Sequence, residues 1–433
     1  MNHKLQKIRA KKLSVVRGEH THIIGVDIAK NKHWACIMDS LTELPVGSPF
    51  AFQNTRDGFL RLLGQIGKAQ ERTGATRVVV GMEPSGHYWK ALAAFLREMG
   101  ITVVTVSPLH VKRAKEFDDN SPTKNDRKDA WVIARRINDG DFFDPYLPEG
   151  IYADLRALTQ TRQQQRAKLN QAQNQLHALL DEYFPEFTSV FADPFGQASI
   201  HVLGHCPFPS DILALCPKEL AKGLSQASNG RVGTTRAVKL REAAKDSVGV
   251  RHGLEGVRLR LRQYLAEISF CKAQLHETEA AMAEALQKTG LAAYLLSAPG
   301  VGVVTAASLL GEAGDLSRYE DWRQLRKLAG YNLKENSSGL KNGHTHITKR
   351  GRPGLRCLLY QAAMILVTRN AQFKALYQHL KTRKENPLKG KQALVAVACK
   401  LLRVLFTLAI KKRCYDPAVV LGEFRATQIG LAA

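Results

Sequence analysis

Four acidic residues stand where a metal-dependent attack on a phosphodiester would need them. Asp27 interrupts the apolar run IIGVDIAK that begins at Ile23, a setting in which an unpaired buried carboxylate costs several kcal/mol. Glu83 follows VVVGM directly, at the carboxyl end of a predicted strand, and Pro84-Ser85-Gly86 then opens a helix. Asp126 and Asp129 are i and i+3 on a helix predicted over Asp126–Asn138, so both carboxylates lie on one face and can share an ion. Phosphodiester chemistry of this kind uses several carboxylates to hold Mg²⁺ ions roughly 4 Å apart, one activating the attacking oxygen and one stabilising the leaving one. Each acid alone has a plainer reading: a strand-end Asp forms turns, and Asp-x-x-Asp at a helix start caps the helix and suits its dipole. The order carries more weight, because a strand Asp, a strand-end Glu and a helical Asp pair follow one another inside one α/β unit.

A second group of reactive types lies near the carboxyl end. Ser337-Ser338-Gly339 is followed by His344, His346, Lys349, Arg350, Arg352 and Arg356, which places hydroxyls among cations able to bind a phosphate and stabilise its developing charge. The alternative is a Ser/Gly linker before a basic nucleic-acid-binding helix. Upstream, Pro299, Gly300 and Gly302 punctuate two apolar helical stretches in a helix-hairpin-helix-like pattern. There the turn around Gly300 and Gly302 lets backbone N–H groups approach a DNA phosphate, although a turn between two core helices reads the same way.

These residues need elements to hold them. Ile23–Ile28 and His33–Met38 read as a hairpin opening a sheet, Arg56–Ala69 and Tyr88–Met99 as helices, and Val78–Met82 and Ile101–Val106 as further strands. The order ββ(β)αβαβα implies a mixed α/β layer fold over residues 1–150. From 151 to 290 the chain turns Gln-, Arg- and Leu-rich. Leu155, Leu158, Leu169, Leu176 and Leu179 fit one apolar seam, and Leu254, Leu261, Ile268, Leu275 and Met282 recur every seven residues in another. Two long helices are expected there, either as a coiled-coil arm between subunits or as one hairpin within a chain. An insert lies at about 185–245, with a weak helix at Leu213–Leu224. Residues 291–433 form a mostly helical third part.

The 433 residues exceed what one hydrophobic core holds. Lys and Arg number 63 against 39 Asp and Glu, and the net +24 favours a polyanionic partner, nucleic acid before a membrane surface. Between Lys341 and Arg413 there are 17 Lys or Arg and one acid, Glu385. No apolar run reaches the ~20 residues of a bilayer span, and the basic amino terminus lacks a signal-type apolar block, so a cytoplasmic protein is expected. Seven scattered cysteines without a C-x-x-C pair read as reduced, mostly buried thiols.

GVDIAK, GMEPSGHYW, KNDRKDA, the PGVG hairpin and the SSG…ITKRGRPGLR run, in this order, resemble the insertion-sequence transposases of the one-ten family, whose relatives include the Piv-type invertases. Total length and the insert resemble its eleven-eleven group. The resemblance implies an RNase H-like (RuvC-like) amino-terminal domain, a coiled coil and a carboxyl-terminal transposase domain. Asp27, Glu83, Asp126 and Asp129 would hold Mg²⁺, and Ser338, or Ser337 in the doubled serine, would attack DNA to form a phosphoserine link. It further implies a homo-oligomer, dimer or tetramer, with composite sites acting on donor and target DNA. A structured non-coding guide (bridge) RNA would delegate sequence choice to base pairing. Lys349, Arg350, Arg352, Arg356, Gly300 and Gly302 are the expected nucleic-acid contacts. The competing expectations are a RuvC-like structure-specific endonuclease that uses water and no serine, and a non-catalytic nucleic-acid-binding protein.

Overall fold

The computed structural model describes residues 3–84, 86–119, 126–334 and 345–420. The chain divides into two compact units, Met1–Leu147 and Pro148–Ala433.

In the first unit the element order is α1 (His3–Arg17), β1 (Thr21–Asp27), β2 (Lys32–Asp39), β3 (Phe50–Gln53), α2 (Arg56–Thr73), β4 (Arg77–Met82), α3 (Trp89–Glu98), β5 (Thr102–Thr105), α4 (Pro108–Asp119) and α5 (Asp126–Asn138). The five strands form one sheet in the order β3-β2-β1-β4-β5, antiparallel from β3 to β1 and parallel from β1 to β5. β1 is central and buried over its first six residues, as expected of a strand covered on both faces. Alternate residues divide between two cores. Ile24, Val26, Ala35, Ile37, Val80 and Met82 pack with Phe59, Leu62, Leu92 and Leu96 of α2 and α3. Ile23, Met38, Val79 and Val104 pack with Val16, Val111, Val132, Ile133 and Ile137 of α1, α4 and α5. The basic amino-terminal run, read only as lacking a signal sequence, folds as α1 and buries Val16 completely.

The second unit begins with α6 (Gly150–Tyr183), continues through α7 (Phe187–Val190), α8 (Gln197–His205), α9 (Pro209–Ala214), α10 (Pro217–Ala227) and α11 (Thr234–Lys245), and returns along α12 (Leu254–Lys288). Arg162 meets Glu279, Gln165 meets Thr278, and the Val250 amide meets the Glu182 carbonyl, so α6 and α12 run antiparallel. The expected seam is therefore closed within one chain as a hairpin. Leu169, Leu176, Leu261, Ile268 and Leu275 bury with the insert in one core. The expected single helix over Leu213–Leu224 is two, α9 and α10, because Pro217 lacks the amide hydrogen a continuing helix needs and instead starts the second one.

The chain then forms α13 (Ala292–Leu296), α14 (Val303–Ala313), α15 (Trp322–Leu328), the short strands β6 (Leu333–Lys334) and β7 (His346–Ile347), α16 (Pro353–Arg369), α17 (Ala371–Thr382) and α18 (Gly390–Lys411) around a second core. Against the expectation that no apolar run is long enough, α18 has the length and composition to cross a membrane. Half of its most apolar window is buried, through Val397, Leu401, Leu402, Leu405 and their neighbours, as in the core helix of a helical bundle. The cysteines also differ from expectation: Cys36, Cys206 and Cys271 are buried, but Cys216, Cys357 and Cys414 are exposed because they cap or face outward from helices or lie beyond α18.

Candidate active site

Asp27 ends β1, and Glu83 follows the last residue of β4. The two strands are parallel with Val26 opposite Met82, so both acids leave adjacent strands at the same edge. Alternation puts Asp27 on the face of Ile23 and Gly25, and Glu83 on the face of Val79 and Gly81, the face that α5 covers. The approach of α5 is close. A Cβ on Gly25 would lie 2.0 Å from the Ala130 carbonyl oxygen and 2.6 Å from the Ala134 nitrogen, and one on Gly81 would lie 2.1 Å from Cδ1 of Ile137. Gly25 and Gly81 are register partners, so one glycine pair makes a seat for the helix. Asp129, 6 % exposed, directly precedes the Ala130 that rests on this seat. Asp126 is the first residue of α5, and its carboxylate lies outside the described side chains.

The same edge also carries positive charge. Trp34 is the antiparallel partner of Asp27, and the Arg127 guanidinium stands 4.7 Å from its ring centroid, with the Lys32 ammonium 5.3 Å from the same ring. The first turn of α5 thus reaches the edge where β1 ends. Sequence reasoning passes over Trp34 and Arg127; the available signal is the cation within KNDRKDA and the aromatic seven residues after Asp27. A donor set made of hard carboxylate oxygens suits Mg²⁺ better than a softer metal.

Ser337, Ser338, Gly339 and His344 lie outside the described residues. The segment that contains them springs from a well-anchored base. β6 and β7 pair antiparallel, with Leu333 opposite Ile347 and Lys334 opposite His346. Below that rung, the Thr348 amide donates to the Asn332 carbonyl at 2.7 Å, and the Lys349 amide to that of Gly330 at 3.0 Å. The Arg356 guanidinium donates to the carbonyls of Ala329 and Lys349, and Tyr331 donates its hydroxyl to the Arg356 carbonyl at 2.8 Å. Burial pushes the Tyr331 phenol up, so it stays a donor.

The expected nucleic-acid contacts fall into two groups. Lys349 and Arg350 are exposed. Arg352 and Arg356 are half-buried and held by the protein: Arg352 donates to the Glu312 carbonyl and lies 3.8 Å from its carboxylate. Glu312, buried on α14, also binds Arg156 of α6 at 2.5 Å and Gln163 at 3.2 Å. Gly300 and Gly302 are exposed in the turn between α13 and α14, and α14 itself is buried from Ala306 to Ala313.

Comparison with known proteins returns one group. Residues 24–185, which contain all four acids, match the DEDD-type IS110 model described as "Transposase", and residues 292–378 match the model described as "Transposase IS116/IS110/IS902 family". The chain is 27% identical over 396 residues to the "Insertion element IS116 uncharacterized 44.8 kDa protein" of Streptomyces clavuligerus, covering 91% of this chain and 96% of that protein. It is 27% identical over 338 residues to the "Mini-circle putative transposase for IS117" of Streptomyces coelicolor, covering 74% and 78%. A shorter stretch of 129 residues is 31% identical to the "Transposase for insertion sequence element IS1111A" of Coxiella burnetii, covering 28% of this chain and 33% of that one.

Proposed function

Because the chain belongs to the IS110/IS116/IS902 family of insertion-sequence transposases, we infer that it cuts and rejoins DNA strands at the acidic edge of its sheet. The observation that carries this reading is the glycine seat. It lets α5 lie on β1 and β4 closely enough that the turn bearing Asp129 shares an edge with Asp27 and Glu83. The strand order supports an RNase H-like fold of the RuvC-like branch. Asp27, Glu83, Asp126 and Asp129 would hold Mg²⁺, which supplies charge stabilisation at the scissile phosphate. Arg127 and Lys32 lie where the DNA backbone would approach, and Trp34 keeps both cations at that edge. Ser338, or Ser337 beside it, attacks the phosphorus; the leaving 3′ oxygen departs, and a phosphoserine link holds the bond until the other strand's hydroxyl displaces the serine.

The paired base under β6 and β7 supports a fixed origin for the serine segment. The break after Leu147 supports a boundary at about 150, and the core of residues 169–275, separate from that of Leu155 with residues 282–409, supports a third part from about 290 that also takes in the start of α6. A composite site between copies of the chain, a guide RNA that takes over sequence choice, a cytoplasmic location and a place in the eleven-eleven group complete the proposal. The net +24 supports the polyanionic partners, and the stretch shared with the Coxiella burnetii protein supports the group. Ser338→Ala, Ser337→Ala and Asp129→Asn should be assayed for strand exchange and for protein–DNA adducts on suicide substrates with Mg²⁺ and the element's flanking transcript. One serine variant and Asp129→Asn should each lose more than roughly a hundredfold of exchange activity. Cleavage with no adduct, unchanged in both serine variants, would mean a water-using endonuclease instead.

A further inference from the structure

At the opposite end of β1 lies a second cluster of metal-ligating side chains. His22 is the register partner of Asp39 on β2, and His20 immediately precedes β1. One ligand atom from each of His20, His22 and Asp39 lies within 4.8 Å of the other two. The cluster is five residues up the strand from Asp27, roughly 17 Å at ~3.3 Å per residue, so it is separate from the acidic edge.

The hydrogen bonds prepare these groups for an ion. Asp39 uses Oδ1 to accept the amides of Leu41 and Thr42 at 2.8 and 3.2 Å, which leaves Oδ2 facing His20 Nε2 at 2.7 Å. Burial pushes the Asp39 carboxyl up, but the bonds from His20 and the two amides outweigh it and hold the group ionised below the ordinary carboxylate range. His22 is completely buried, and its Nε2 lies 2.9 Å from Thr73 Oγ1. When the Thr73 hydroxyl donates to the Ala69 carbonyl, 3.1 Å away, it accepts from His22 Nε2, the tautomer that suits a metal ligand. Nδ1 of His22 is then a bare lone pair, buried and without a hydrogen-bond partner. Burial also pushes the His22 imidazole down. A histidine whose far nitrogen is fixed by a hydrogen bond, whose near nitrogen is an unused lone pair, and which faces a carboxylate and a second imidazole has the outfit of a metal ligand.

We propose that His20 Nε2, His22 Nδ1 and Asp39 Oδ2 bind a single zinc-like divalent cation, with water as its fourth ligand on the side where His20 meets solvent. Two imidazoles and one carboxylate suit Zn²⁺ and disfavour Mg²⁺, which prefers all-oxygen octahedra. Zinc–ligand distances of ~2.0–2.1 Å require tetrahedral ligand atoms roughly 3.3 Å apart, a spacing that small rotations of His20 and Asp39 supply. The ion would tie the start of β1 to the end of β2 and, through Thr73, to the end of α2.

The test is zinc binding by the full chain, purified through chelator and then titrated with Zn²⁺ in excess Mg²⁺ to fill the carboxylate site. Bound metal is measured by elemental analysis and affinity by competition with a chromophoric chelator. Expected are about one tight zinc per chain, its loss in His20→Gln, whose half-exposed side chain can be replaced without disturbing the core, and an affinity lowered roughly tenfold or more in Thr73→Val. Circular dichroism of each zinc-free variant should match the wild type. Wild-type stoichiometry and affinity retained in His20→Gln, or a wild-type chain that takes up no zinc, would overturn the proposal.

Discussion

The two units hold their polar residues by opposite means. In residues 1–147 the acidic edge is set by the absence of side chains: Gly25 and Gly81 remove the bulk that would keep α5 away, and the carboxylates follow from strand alternation. In residues 148–433 the start of α16 is set by an excess of polar contact, with Glu312 drawing Arg156 and Gln163 of α6 together with Arg352. A packing seat tolerates no added atom, whereas a charged node tolerates no missing one.

The largest stability effect should come from the node. Glu312→Ala leaves two partly buried guanidiniums without their carboxylate and should lower the unfolding free energy by about 3–4 kcal/mol in denaturant melts. Glu312→Gln should cost less, since the amide oxygen still accepts one bond. Equal costs would show that charge and not shape holds the node. Gly25→Ala should follow at about 2–3 kcal/mol, because its Cβ meets backbone that can yield only if α5 moves, and DNA-strand exchange should fall with it. Gly81→Ala meets chiefly the tip of Ile137, a side chain that can turn away, and should cost about 1 kcal/mol. If the two alanines cost the same, the seat is not a backbone contact.

The smallest effect tests whether the second unit's reliance on charge extends to its periphery. Glu186 accepts from Ser247 Oγ at 2.7 Å and from the Val248 amide at 3.0 Å. Burial pushes its carboxyl up, but these hydrogen bonds outweigh it and leave the group below its ordinary 4.5. A depressed carboxyl stabilises the fold above pH 4.5, and the gain is lost as pH falls through the lower folded value. Glu186→Gln should therefore cost about 1 kcal/mol at neutral pH and nothing in strongly acidic solution, read as the pH dependence of the melting midpoint.

Much of the first unit is legible in the sequence because its signals are local. IIGVDI and VVVGM are short apolar runs ended by turns, and the acids that close them follow from position along a strand. Trp34 beside Arg127, and His22 opposite Asp39, depend on antiparallel register and on how a later helix docks, which periodicity does not encode. The long helices announce themselves by their heptads, but a seam pattern is the same whether its partner is another chain or the same chain returning. Residues 187–245 resist reading because their helices are short and are broken at Pro209 and Pro217, so no window is long enough to show a period. Arg352 looks like a surface cation until Glu312, forty residues earlier, is found beneath it.

The insert leaves and re-enters the hairpin at one place: the Val250 amide bonds the Glu182 carbonyl at 3.0 Å, and Gly249 lies so near that a Cβ there would stand 2.2 Å from the Tyr183 carbonyl oxygen. Such a closed neck makes the segment a cassette in evolutionary terms. Length gained or lost beyond the neck leaves the pairing of Arg162 with Glu279 in register, since closing a longer loop costs only about 0.6 kcal/mol per doubling. Descendants of this gene can thus trade the tip of the hairpin for a new one and inherit the rest unchanged.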